Sequence, residues 1–155
     1  MDTQAVLKAG GIGAGVIIVL NLFGLIPCVG CITFILVILA YIGVGVLAAL
    51  WMTPPRTPGS GATNGAIAAV VAALIAGMVN IVVMAIYGGI TGASQLSQIP
   101  PEQLQILMDA GIDPAMLVGP LASAGIGVFC CTIYLFIGAA LGAIGGAIWG
   151  NTHPN

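Results

Sequence analysis

Charged side chains divide this chain into three long apolar tracts. Residues 9–55, 57–101 and 114–155 contain no Asp, Glu, Lys or Arg. A membrane-spanning helix needs about 20 consecutive apolar residues, so each tract has room for one or two spans, and the helix breakers decide the number. In the first tract Pro27-Cys28-Val29-Gly30 makes a tight turn between a helix over about 5–26 and a second over about 31–52. Thr53 to Asn64, the run around Arg56 that leads into the second tract, is too rich in Pro and Gly for a helix. A third span then covers about 65–90. A fourth, over about 120–149, opens on Pro120, a residue suited to the first helical position. The pattern predicts an all-α membrane protein, a single domain over 1–155 with four transmembrane helices in two tandem helical hairpins. Reading the first span as a cleaved signal peptide fits poorly, because a second apolar run follows it at once.

Between the third and fourth spans the pattern changes. Pro101 and Glu102 suit a helix start, Gly111 suits a stop, and Pro114 forbids continuation. Leu104, Leu107 and Met108 fall on one face. A short amphipathic helix over about 101–110 is expected on the outer surface, where it caps the bundle or docks a partner.

Composition narrows the class. Hydrophobic residues make up 60% of the chain and charged residues 4%, with a mean hydropathy of +1.22. Six charges cannot cover the surface of a soluble domain this size. The net charge is −2 and there is no basic patch, which excludes nucleic-acid binding and polybasic attachment to anionic lipid. The two cations, Lys8 and Arg56, fall on one side of a four-span bundle, and Glu102, Asp109 and Asp113 on the other. The positive-inside rule then puts both termini in the cytoplasm of a cell (plasma or inner) membrane. Trp51 and Trp149 fall at the same inner interface, where indoles prefer to sit.

Two further patterns stand out. Cys31-x-Thr33 and Cys130-x-Thr132 each begin an apolar stretch that runs through alternating small residues to a Trp (Trp51, Trp149) and then a Pro. This suggests an internal repeat of one hairpin. Small residues also recur every fourth position: Gly65, Ala69, Ala73 and Gly77 in the third span, and Gly138, Gly142, Gly146 and Gly150 in the fourth. Such stripes let helix backbones approach closely in lipid, where no hydrophobic effect drives helices together. The stripes lie in the half of each span on the Lys8 side, and bulky residues fill the other half. Asn21 and Asn80 are the polar side chains expected to hydrogen-bond between helices inside the membrane.

The cysteines carry the one constellation with chemistry: Cys28 and Cys31 as Cys-Val-Gly-Cys, and the adjacent pair Cys130 and Cys131. Four spans with both termini inside, a Cys-x-x-Cys in the first outer turn and a second pair after the third span resemble the bacterial disulfide-bond formation protein B family in layout. That resemblance implies electron transfer from a periplasmic partner to a quinone through these four cysteines. Here the second pair is adjacent and inside a helix, and no arginine follows Cys31. Packing as small apolar residues is the alternative use of the four thiols, with zinc or iron–sulfur ligation poorly served by adjacent ligands.

No Asp, Glu or His falls within a span, and Lys8 sits close enough to an end to snorkel. Proton pumps, voltage sensors and most ion-coupled transporters need such residues. The sequence therefore points to a structural or associative role, as an accessory subunit or a homo-oligomer, with no catalytic residue. A passive pore is the next alternative, and the quinone-linked thiol oxidoreductase the third. Expected partners are the bilayer and other membrane subunits or a second copy. No nucleic acid, metal or cofactor is implied.

Overall fold

The computed structural model describes residues 2–24, 30–96, 99–111, 113 and 120–153. Five helices form among them: α1 (Thr3–Gly24), α2 (Gly30–Leu50), α3 (Pro58–Leu96), α4 (Pro101–Asp109) and α5 (Pro120–Thr152). All but α4 contain a stretch long and apolar enough to cross a membrane. The chain is thus all-helical with four candidate spans, consistent with a multi-pass membrane protein.

Helix α3 begins seven residues before the expected position, and residues 58–64 are helical despite their Pro and Gly. A capping box explains this. The Ser60 backbone N–H donates to the Thr57 hydroxyl at 3.1 Å, and the Thr57 N–H donates back to the Ser60 hydroxyl at 3.0 Å. Two of the orphan donors at this helix start are thereby satisfied. Pro58 follows the cap at the first helical position, where its missing N–H is not needed. At 39 residues α3 is about 58 Å long at 1.5 Å per residue, and the 33 residues of α5 give about 50 Å. Both exceed what a bilayer requires.

The chain divides into two compact units. The first comprises Met1–Ala76 with Cys131–Asn155, and the second Gly77–Cys130. The core of the first is built on small residues. Ala9, Ala48, Ala68, Ala69 and Ala72 are fully buried, and the largest fully buried side chain is Ile17. Val37, Tyr41 and Val44 of α2 complete the cluster. A core of alanine and glycine brings backbones together, so its cohesion is close van der Waals contact. Large apolar side chains such as Ile32, Phe34, Ile35 and Leu39 of α2 are exposed.

In the second unit α4 starts on Pro101 and ends through glycine. Gly111 takes φ +74°, and its N–H donates to the Met108 carbonyl at 3.0 Å. A glycine in the left-handed region is the usual helix stop. Leu104 and Leu107 are half-buried, while Met108, expected on the same face, is exposed along with Ile106.

Candidate functional site

Two features of the first unit bring sequence-distant residues together: a seam of glycines and a polar cluster at one end.

The seam runs along α2, α3 and α5. A Cβ placed on Gly142 would lie 2.5 Å from the Ala69 Cβ and 2.6 Å from the Gly65 carbonyl oxygen. Cβ atoms on Gly45 and Gly65 would each run into the Gly142 carbonyl. One turn on, Gly61 and Gly146 stand in the same relation to each other, and a Cβ at Gly150 would meet the Thr57 carbonyl at 2.8 Å. At the other end a Cβ at Gly138 would lie 2.7 Å from the Tyr41 ring. Except at Gly138, backbone thus touches backbone where these glycines sit, which only residues without a Cβ allow. Gly61, Gly45 and Gly145 belong to the seam, although the every-fourth-residue pattern did not single them out. Ala73 and Gly77 are buried.

Helix α1 closes on the same unit through Gly10, against Val71 and the Ala68 carbonyl, and through Gly13, against Val44. Gly11 and Gly15 have nothing within 4 Å of a Cβ and face open space.

The polar cluster joins the start of α1, the end of α2 and the first turns of α3. Asn64 is 3% exposed. Its carbonyl oxygen accepts from the Asp2 N–H at 3.2 Å, and its amide donates to the Ser60 carbonyl at 2.8 Å and to the Met52 sulfur at 3.0 Å. The Asp2 carboxylate accepts from the backbone N–H groups of Ala5 (3.4 Å) and Thr53 (3.3 Å) and from the Thr53 hydroxyl (3.5 Å). These bonds, the one from Ala5 foremost, hold the Asp2 carboxyl below its ordinary 3.8. Arg56 turns back on α2, donating from Nε to the Met52 carbonyl at 3.1 Å and from Nη2 to the Leu50 carbonyl at 2.9 Å. A cation on the last carbonyls of a helix satisfies them and complements the dipole. The Pro and Gly content of residues 53–64 predicts a loop at Asn64. The signal that could have found it is the Thr57-Pro58 cap, which puts Asn64 on the second turn of α3.

At the end of α5 the Trp149 ring stacks on His153, with centroids 4.0 Å apart. The indole N–H is buried and has no hydrogen-bond partner among the described residues.

The structure brings few of the remaining predicted residues together. Cys28 lies outside the described residues, as do the side chains of Cys31 and Cys130. Cys131 is a half-buried free thiol in α5. Asn21 and Asn80 are both half-buried. Among the described residues no group of three His, Cys, Asp or Glu is placed to hold a metal ion. No protein-family model matches the chain, and no curated protein or solved structure is significantly similar to it.

Proposed function

We propose that this chain is a four-span integral membrane protein of two tandem hairpins, with both termini in the cytoplasm. It acts by association, as a subunit of a membrane complex or as a homo-oligomer. The observation that carries this reading is the closure of the glycine seam. The small-residue faces that a pore would need open are occupied by neighbouring backbone at Gly45, Gly61, Gly65, Gly142 and Gly146. What remains outward is bulky and apolar, suited to lipid or to another apolar helix surface. The only charged side chain within the four candidate spans is Lys8, near an end.

The test is purification of the tagged chain from native membranes in mild detergent, with the mass of the intact particle measured. The expected result is a stable assembly heavier than the 15.4 kDa chain. A lone monomer that conducts a small solute when reconstituted would overturn the reading in favour of a pore. Cysteine oxidation that follows the quinone pool would overturn it in favour of an enzyme.

A further inference from the structure

An open groove of about 720 Å³ runs along the first turns of α1 beside the end of α2. Residues between Asp2 and Ile12, Lys8 and Gly11 among them, line it on the α1 side, and Trp51 and Thr53 line it at the end of α2. The order of the groups along α1 is informative. Asp2 precedes the helix, Lys8 lies in its second turn, and Gly11 and Ile12 lie a turn further in. Passing from the helix end towards its middle, the groove therefore offers the anion first and the cation further in, with Gly11 and Ile12 beyond the cation and apolar Ala5 and Leu7 between the charges.

A phospholipid with an amine headgroup presents the complementary order. Its ammonium lies outermost, its phosphate next, and its acyl chains deepest. We propose that this groove binds a zwitterionic phospholipid of the inner leaflet, with the headgroup ammonium on Asp2, the phosphate on Lys8 and an acyl chain along Gly11 and Trp51. This rests on the membrane reading above.

Three observations support the assignment. The Asp2 carboxylate is held by N–H and hydroxyl donors rather than by a cation, so its charge is available. Lys8 is exposed and takes no partner among the described residues. An ammonium at a membrane interface is free to reach a phosphate while its stem lies along apolar surface. Gly11 leaves open space where any side chain would narrow the groove, and Trp51 supplies a half-exposed indole of the kind that lodges at headgroup depth. A primary ammonium donates charge-assisted hydrogen bonds to a carboxylate, and a trimethylated one cannot. Ethanolamine headgroups are therefore preferred over choline. Anionic headgroups such as glycerol phosphate lack the ammonium and meet Asp2 unfavourably.

The experiment uses the full chain carrying Trp149→Phe, so that Trp51 is the only indole. It is reconstituted in phosphatidylcholine vesicles doped with a small fraction of brominated lipid, whose acyl bromines quench nearby indoles. Brominated phosphatidylethanolamine is expected to quench Trp51 about three-fold more effectively than brominated phosphatidylcholine or phosphatidylglycerol at equal fraction, the size of one exposed charge contact. Lys8→Ala and Gly11→Leu should each reduce the preference to bulk. Neither residue packs against another helix, and thermal unfolding of both variants is expected at or above that of the parent. Flotation with the vesicles after alkaline wash reports the membrane reading separately. Loss of flotation overturns both proposals. Retained flotation with equal quenching by the three lipids overturns this one alone, as does a preference for phosphatidylglycerol, which would make Lys8 a simple anion contact.

Discussion

At the residue scale, glycine does two opposite things in this chain, and spacing alone does not separate them. Gly10, Gly11, Gly13 and Gly15 crowd the same stretch of α1. Successive helical positions point about 100° apart, so Gly10 and Gly13 meet neighbouring helices while Gly11 and Gly15 do not. The stripes in α3 and α5 were legible as faces from their four-residue recurrence. Which backbone each would touch was not, because that depends on helix register. Gly142 meets both other helices of the seam, at Gly45 of α2 and at Gly65 and Ala69 of α3. Its replacement by alanine puts a methyl 2.5 Å from Ala69 and 2.6 Å from the Gly65 oxygen. Backbone cannot rotate away as a side chain can, so the helices must separate. The expected loss is about 1–3 kcal/mol, the range for overpacking a closed interior. Gly15→Ala, facing open space, should lose nothing and gain helix propensity of up to about 1 kcal/mol. Thermal unfolding of the two variants in the same detergent checks the contrast; equal effects would remove the seam from the account of stability.

At the scale of the element, the helices themselves were legible because uncharged runs of this length have few alternatives in lipid. The start of α3 was misjudged for a specific reason. Pro58 and Gly59 are breakers by residue type, although a proline directly after a Thr is the signature of a helix beginning. The reciprocal bonds between Thr57 and Ser60 are what hold residues 58–64 in the helix, and they set Asn64 in register with Asp2 and Met52. Thr57→Ala removes the hydroxyl acceptor and should cost about 1 kcal/mol, the usual loss of a threonine cap. Amide exchange at Ser60 and Gly61 should quicken well before exchange in the middle of α3. Exchange that stays as slow as in the parent would mean that packing against Gly146 and Gly150, not the cap, fixes this turn. The stop of α4 was read correctly at Gly111, since the left-handed backbone found there is a property of one residue and its sequence neighbours.

At the scale of the whole molecule, the polar cluster is the feature that no local pattern could reveal. The bond from Asp2 to Asn64 joins positions 62 residues apart, and the bonds from Thr53 to Asp2 tie the end of α2 to the start of α1. The Asp2 carboxylate thus ties the end of α2 to the start of α1 while its backbone N–H reaches α3, and the carboxylate's share of the clasp depends on its charge. The Asp2 carboxyl titrates below its ordinary 3.8 because the folded chain supplies donors to the ionised form, first among them the Ala5 N–H. A lowered native value adds stability that is fully present above the unfolded value and disappears as the pH falls through the native one. Between pH 7 and about 4 the clasp should therefore be indifferent to pH. Below 3.8 protonation favours the unfolded chain, and the unfolding temperature should begin to fall. The chain carries three further carboxylates, so the wild-type curve alone does not isolate the clasp. Asp2→Asn keeps the shape and an acceptor oxygen but cannot change charge. Its unfolding temperature should start lower at pH 7 and converge on that of the parent as the pH falls below 3.8 and through the lowered native value. Parallel curves across the whole range would mean that the hydrogen bonds to Asp2 do not depend on its ionisation, and that the three segments are held together by the glycine seam beneath them.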